Sequence, residues 1–369
     1  MLEMTLSKTC TIYYCPNNYP NQALLRYKNF MLPNMAVFAD NGITGATHGV
    51  ALRKVLLKED GFSSSNFITL SGSSIFSILI GLITLVVKYR WPPSIISARF
   101  LSSASVIANS NTELLYIDTL HLSFLCKKIG NKKCIVNFHN YDPEYLLELS
   151  RLEKSILRSL LFKYESFISK IILRRLEKID RLEMWALTSK DFDSARLLLN
   201  YSKKIKLIPH QLPRFGAYKS SDALNNSRPC LDLIFIGAGG HGPNKEALDF
   251  IISILDCNTR FVAHIVGPSW KIHSHPRLKF HGFVKKLDAF LADNYLFICP
   301  IFSGSGINMK VFTAIEFGLP GILSQFTREP FNVYGKDFPD EEYVVVNGKD
   351  PKSWADLIIK RSELLSREK

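Results

Sequence analysis

The sequence predicts an α/β protein made of two doubly wound, Rossmann-like domains that face a central cleft. Three observations predict it. At 369 residues, with 47% hydrophobic and 21% charged, the chain is long enough for two domains that each bury a core. Short apolar runs alternate with longer helical stretches through both halves, the pattern of parallel strands joined by crossover helices. Between the halves lies HQLPRFGAYKSSDALNNSRP (210–229), rich in Pro, Ser, Asn and Gly, which reads as an interdomain linker. The expected division is 1–209, 210–229 and 230–369.

The first thirty residues match no element. MAVFA (35–39) then reads as a strand, followed by the glycine turn NGITG (41–45) and a helical run, THGVALRKVLL. Residues 75–87, IFSILIGLITLVV, are nearly all apolar and lead into KYRW. Thirteen helical residues reach only about 20 Å, short of the roughly 30 Å hydrocarbon core, so a buried core helix is expected rather than a span. A shallow dip into a membrane interface is the alternative reading. LLYID (114–118) and CIVNF (134–138) are strands, the second running into His139. A long helical region (roughly 144–182) precedes the strands MWALTS (184–189) and IKLIP (205–209).

In the second half, LDLIFIG (231–237), RFVAHIVG (260–267), LKFHGFV (278–284), YLFICP (295–300), GILSQ (321–325) and YVVVN (343–347) are the strand candidates. The first runs into Gly237, Gly239 and Gly242, spaced G-x-G-x-x-G. A dinucleotide site also needs an acid at the end of the next strand, to hold the ribose. That strand ends in Gly267-Pro268-Ser269, and Asp256 precedes it. Pro243-Asn244 reads instead as a helix start with Pro at N1. The loop is credible and the nicotinamide reading is not.

Residues 300–320, PIFSGSGINMKVFTAIEFGLP, place a Gly304-Ser305-Gly306 turn between a strand and a helix. Backbone N–H groups at such a helix start bind anions without a metal, and Lys310, one turn in, adds a cation.

The order of these pieces resembles the donor half of a GT-B glycosyltransferase, of the family 4 or "group 1" type. The pieces are the glycine loop with Pro-Asn, a V-G, H-P-x-x-x-F-x-G-F-V, C-P-I, G-S-G-x-x-x-K and G-x-P. LLYIDTLHLSFL (114–125) with IVNFHNYDPEY (135–145), and RRLEKIDRLEMWALTSKDFDSAR (174–196), are similar to segments of the family's first half. The resemblance covers about residues 35–365. It implies a metal-independent hexosyltransferase that uses a UDP- or GDP-linked sugar as donor substrate and no cofactor.

The resemblance also implies site residues. The donor would lie against Gly237, Asn244, Phe283, Gly304, Ser305, Gly306 and Lys310, with its base near His281-Gly282-Phe283-Val284. Gly42 and Gly45 would let the N-terminal backbone approach the donor phosphate or the acceptor. His139 would face the transferring sugar, and Asp142 falls where the family has an acid. The chain departs from the family where glutamates are usual, carrying Ser303 and Thr313; Glu316, one turn beyond Thr313, is the residue expected to stand in.

Transfer needs a stabilised leaving diphosphate, a base for the acceptor hydroxyl and exclusion of water. Asp142, His139 and Glu144 are the available bases. His139 as a structural histidine and Asp142 as a helix cap are the competing readings. Asp191-Phe192-Asp193 matches a metal-binding D-x-D, but it follows Thr188-Ser189 at a helix start, where capping is expected. His273 and His275 lack a third ligand nearby, so no metal is expected.

The formal charge is +13, and residues 151–206 hold 14 Lys/Arg against 7 Asp/Glu. The readings are a solvated helix face, or attraction to anionic lipid or phosphorylated substrates. No nucleic-acid-binding signature accompanies the charge. Seven dispersed cysteines argue for free thiols in a reducing compartment, and no secretory signal is visible at the start. The expectation is a cytoplasmic enzyme, peripheral at the membrane's cytoplasmic face, acting on a glycan or lipid-linked acceptor. The alternatives are a sugar-nucleotide epimerase of the same architecture, or a non-catalytic scaffold.

Overall fold

The computed structural model describes residues 10–13, 36–40, 67–70, 75–98, 114–117, 120–127, 133–138, 140–209, 212–216, 231–240, 242–271, 273–284, 287–291, 295–304 and 306–367. The chain divides into two compact units, Met1–His210 and Gln211–Lys369.

Unit 1 is built on seven parallel strands: β1 (Cys10–Tyr13), β2 (Ala36–Asp40), β3 (Phe67–Leu70), β4 (Leu114–Ile117), β5 (Lys133–Phe138), β6 (Leu182–Ala186) and β7 (Ile205–Leu207). Their order is β3-β2-β1-β4-β5-β6-β7. The stretch read as featureless therefore contains the strand at the middle of the chain reversal. Four residues, CTIY, are too short to announce a strand by alternation, and only pairing with Ala36–Phe38 on one side and Leu114–Ile117 on the other defines it.

The helices follow the apolar spacing. They are α1 (Ile75–Val87), α2 (Ile95–Ala98), a 3-10 helix (Leu120–Lys127), α3 (Asp142–Leu152), α4 (Ile156–Glu177) and α5 (Ser189–Leu198). In α4, Ile168, Ile172, Leu173 and Leu176 bury one stripe against Phe124, Met184 and Val136. Residues 75–87 form the expected helix, but as a core helix they are a correction. Gly81 and Leu85 are buried, while Leu79, Ile80, Ile83, Val86 and Val87 are exposed. A helix packed on one side hides only one stripe, however apolar the remainder.

Unit 2 holds six parallel strands: β8 (Leu231–Ile236), β9 (Phe261–Val266), β10 (Leu278–Gly282), β11 (Leu296–Cys299), β12 (Gly321–Ser324) and β13 (Tyr343–Val346). Their order is β10-β9-β8-β11-β12-β13. β11 and β12 are buried along their whole length, as strands covered on both faces must be. The connecting helices are α6 (Gly242–Cys257), α7 (Leu287–Phe290), α8 (Met309–Glu316), α9 (Gln325–Arg328) and α10 (Pro351–Arg367). α6 buries Ala247, Leu248, Ile251, Ile254 and Leu255, a continuous helical stripe. Trp354 of α10 seals its outer side, edge-on to Phe250 at 5.5 Å. Of the stretch read as linker, Phe215 and Gly216 pack within unit 2. The Gly216 N–H donates to the Ile315 carbonyl, and Phe215 lies edge-on to Tyr343.

Both sheets share one feature that matters for function. Strand order reverses between β1 and β4 in unit 1 and between β8 and β11 in unit 2. Crossovers leave in opposite directions there, so the loops beyond the strands' carboxyl ends part and open a crevice.

Candidate functional site

The loops after β8 and β11 meet at the switch point of unit 2. β8 runs into Gly237-Ala238-Gly239-Gly240 before α6. The Gly237 N–H donates to the Val266 carbonyl (2.8 Å), the Gly239 N–H donates to that of Pro268 (2.9 Å), and Trp270 Nε1 donates to the Gly237 carbonyl (2.8 Å). A Cβ at Gly237 would stand 2.9 Å from Asn244 Nδ2, so a larger residue there would have to displace the Asn244 side chain. That close approach lets Asn244, buried in the first turn of α6, donate from Nδ2 to the Ala238 carbonyl (2.8 Å).

Asn244 also faces the second loop. Its Oδ1 accepts from Lys310 Nζ at 3.0 Å, and the same ammonium lies 5.3 Å from the centre of the buried Phe235 ring. Burial pushes the Lys310 pKa below the usual lysine range. A cation held this way gains from any anion that reaches it. Gly304 (φ +115°) and Gly306 (φ +71°) turn the chain through conformations that L side chains rarely adopt. Gly304 faces Pro243 at the start of α6. Ser303 Oγ donates to Glu246 Oε2 at 2.8 Å. Three pairs thus tie the two loops: Gly304 to Pro243, Lys310 to Asn244, and Ser303 to Glu246. α8 begins beyond the turn with Asn308 at its N-cap, whose side chain makes no capping bond.

Phe283 is half exposed and follows Gly282 (φ +62°) at the carboxyl end of β10. Behind it runs a polar chain, in which His281 Nε2 meets His264 Nδ1 at 2.9 Å and His264 Nε2 meets Asp232 Oδ1 at 2.9 Å. Burial, then the neighbouring His264 and Lys279, hold His281 below the usual histidine range, favouring its neutral form. Glu316 is exposed at the far end of α8, six residues and about 9 Å of helix from Lys310. Thr313 is buried, with its hydroxyl 3.4 Å from the Met309 carbonyl.

In unit 1, Asp142 stands in the first turn of α3, and Tyr141 is the residue at the N-cap, so capping does not account for Asp142. His121 Nε2 lies 3.6 Å from Asp142 Oδ2. Burial lowers the His121 pKa to about 4, so the imidazole beside the carboxylate is neutral near pH 7. Sequence reasoning passed over His121, which sits in the LHLSFL segment after β4 without a motif. It also missed Glu246, whose signal was its place one turn into α6, two residues after Asn244. His139, Gly42, Gly45 and Ser305 lie outside the described residues.

The D-x-D resolves as a cap. The Asp191 N–H donates to Thr188 Oγ1 (3.1 Å), and the Thr188 hydroxyl donates back to Asp191 Oδ2 (2.6 Å). Asp191 Oδ1 accepts from the Tyr141 N–H (2.9 Å), which pins the start of α3 and so the backbone that carries Asp142. His275 Nε2 lies 3.3 Å from Asp256 Oδ1. Among the described residues no cluster of three His, Cys, Asp or Glu could hold a metal ion.

Residues 231–363 match the family described as Glycosyl transferases group 1. No curated protein sequence matches the chain. Among solved structures it is similar to HepE of Anabaena in complex with UDP and glucose, at 12% identity and a TM-score of 0.60, covering 96% of this chain and 89% of that one. WaaG, a glycosyltransferase involved in lipopolysaccharide biosynthesis, is similar at 10% identity and a TM-score of 0.57, covering 96% and 90%. A putative UDP-N-acetylglucosamine 2-epimerase of Listeria monocytogenes is similar at 11% identity and a TM-score of 0.50, covering 97% and 89%. The fold is GT-B.

Proposed function

We propose that this chain, whose residues 231–363 form a group 1 glycosyltransferase domain, moves a sugar from a nucleoside-diphosphate sugar to a glycan or lipid-linked acceptor. Residues 230–369 take the donor and residues 1–209 the acceptor. The observation that carries this reading is the ammonium of Lys310, held at the switch point by Asn244 beside a glycine turn and a helix start. Breaking the bond between the anomeric carbon and the phosphate oxygen leaves a further negative charge on the diphosphate, the second on its β-phosphate. Lys310 and the N–H groups at the start of α8 stabilise that charge in a site fixed before the reaction. Uracil is the proposed base, since HepE binds UDP and UDP-glucose. Phe283, half exposed beyond β10, offers a face for it.

The acceptor hydroxyl has to lose a proton as it attacks. Asp142 is the proposed base, and the neutral His121 beside it is placed to orient the hydroxyl or to relay the proton. Neither step needs a metal or cofactor.

Thermal-shift and calorimetric titrations with UDP, GDP, CMP and NAD test the donor site. UDP stabilises the wild type, and Lys310→Ala weakens UDP binding at least about tenfold, the loss expected for one charge-assisted contact. Binding of NAD alone, or of no nucleotide, would overturn the reading. Because a putative epimerase shares the fold, a second assay incubates UDP-sugar without acceptor. A transferase returns its donor unchanged apart from slow hydrolysis, whereas an epimerase releases UDP or an epimer.

A further inference from the structure

The described residues expose fifteen large apolar side chains, and ten of them lie on α1 and α4 of unit 1. On α1 they are Leu79, Ile80, Ile83, Val86 and Val87, recurring at the spacing of one helical stripe; Val87 is 72% exposed. On α4 they are Ile156, Leu157, Leu160, Tyr164 and Phe167, the first two 80% and 79% exposed. Both helices already bury their other face, so neither stripe is left over from a poorly filled core. Single exposed apolar residues need no explanation, but two ordered stripes do.

The segment between α1 and α2 binds to α4. The Tyr164 hydroxyl donates to the Pro93 carbonyl at 2.6 Å, and the Arg175 guanidinium donates to that of Arg90. Ser94 Oγ donates to Glu165 Oε2. Where this segment leaves α1, cations gather: Lys88 and Arg90 are exposed, and Lys127 Nζ reaches the Arg90 carbonyl at 3.4 Å. Burial and then the charges of Arg175 and Arg90 push the Lys127 pKa down, as crowding of like charges requires. The exposed charges of α4 are all positive: Arg158, Lys163, Lys170, Arg174 and Arg175. Its two acids are turned inward. Glu165 is buried against Ser94 and the Ile95 N–H, and Glu177 accepts from Ser202.

We propose that the exposed stripes of α1 and α4, with the Arg90–Lys127–Arg175 cluster where the segment after α1 meets α4, dock this chain on an anionic lipid bilayer. Charge complementarity selects the occupant, because aliphatic side chains set among exposed cations fit acyl chains beneath anionic headgroups. Among the described residues, Arg158 alone of the five cations on α4 has a carboxylate, Glu153, within 4.0 Å. The mode is peripheral. No described helix is long and apolar enough to cross a membrane, and the apolar part of α4, Ile156–Phe167, is about 16 Å long. Amphipathic helices of this kind lie in the interface with the apolar face sunk about 5–10 Å. The proposal stands on the surface alone and not on the donor-site reading, although it would bring that enzyme to a lipid-linked acceptor.

Sedimentation of the full chain with vesicles tests it, using phosphatidylcholine alone or equimolar phosphatidylcholine and phosphatidylglycerol. The wild type pellets with the mixed vesicles and stays in solution with the neutral ones. The pairs Ile83→Ser with Val87→Ser, Ile156→Ser with Leu160→Ser, and Lys170→Gln with Arg174→Gln each weaken vesicle binding about tenfold or more, since each cation near an anionic surface contributes roughly fivefold. All three pairs keep the wild-type circular dichroism spectrum and a cooperative thermal melt, which shows them folded without reference to the donor site. No binding to mixed vesicles, or binding that the serine pairs leave intact, would overturn the proposal. So would a wild-type dimer that the serine pairs convert to monomer, since the stripes would then be covered by a second copy.

Discussion

At the scale of the residue, the informative side chains are those whose burial conflicts with their charge. Lys310 and His121 are two of them. Lys310 keeps an ammonium at half-buried depth by donating one N–H to Asn244 Oδ1 and facing the Phe235 ring. His121 relieves the conflict the other way, by staying neutral down to about pH 4. In the unfolded chain the histidine titrates at its ordinary pKa of 6.5, so between pH 6.5 and about 4 the unfolded chain binds the extra proton. Its contribution to stability is therefore complete above pH 6.5 and lost as pH falls through that window, to a total of about 3 kcal/mol. Urea melts at pH 7 and pH 4.5 are expected to show His121→Gln losing less stability on acidification than the wild type. Equal acid sensitivity in the two would show that the imidazole is not the group titrating. Position 121 was not legible in the sequence, because nothing in LHLSFL distinguishes a histidine that will meet Asp142 from one that fills a core.

The helix start after β6 shows how an element can serve a site it does not line. Thr188 and Asp191 cap α5, a pairing readable from the spacing T-S-K-D. The other carboxylate oxygen of Asp191 holds the Tyr141 N–H, fifty residues away in sequence, and only the pairing of β5 with β6 brings the two helix starts together. Asp191→Ala is expected to cost about 2–3 kcal/mol, from the lost cap and from a buried N–H left without its acceptor. Asp191→Asn, which keeps one acceptor oxygen for the Tyr141 N–H and turns an amide donor toward the Thr188 hydroxyl, is expected to cost less than the alanine, read as the shift in urea midpoint at constant m-value. The same contrast separates α1 from its sequence. Its bounds were readable as an apolar run of thirteen residues, but its exposed stripe was not. Composition says how apolar a helix is, and packing says which side is covered.

For the molecule as a whole, two sheets with the same order of their first six strands place one switch point in each unit. In unit 2 that point gathers residues from two distant stretches, 237–246 and 303–310, while 281–283 lie at the end of β10, the edge strand two places from β8. Hydrogen exchange with saturating UDP is expected to protect Gly237–Asn244 and Gly306–Lys310, while the exposed turns of α4 exchange as before. A donor present at a hundred times its Kd adds about 2.7 kcal/mol to the stability of the form that binds it. Protection confined to unit 1 would move the donor to the other switch point.

By itself the sequence determined the class of fold, most of the strands, the glycine turns and the basic helix. Those follow from local rules: apolar runs bounded by turn residues, helical spacing, and glycine where φ must be positive. Only the tertiary structure decided that CTIY is a central strand, that Glu246 meets Ser303, that His121 faces Asp142, and that α1 turns Leu79, Ile80, Ile83, Val86 and Val87 to solvent. Each of these depends on segments far apart in the chain arriving at one place. A side chain's neighbours across a sheet or between crossover helices are set by strand order, and strand order is a property of the whole sheet rather than of any one stretch.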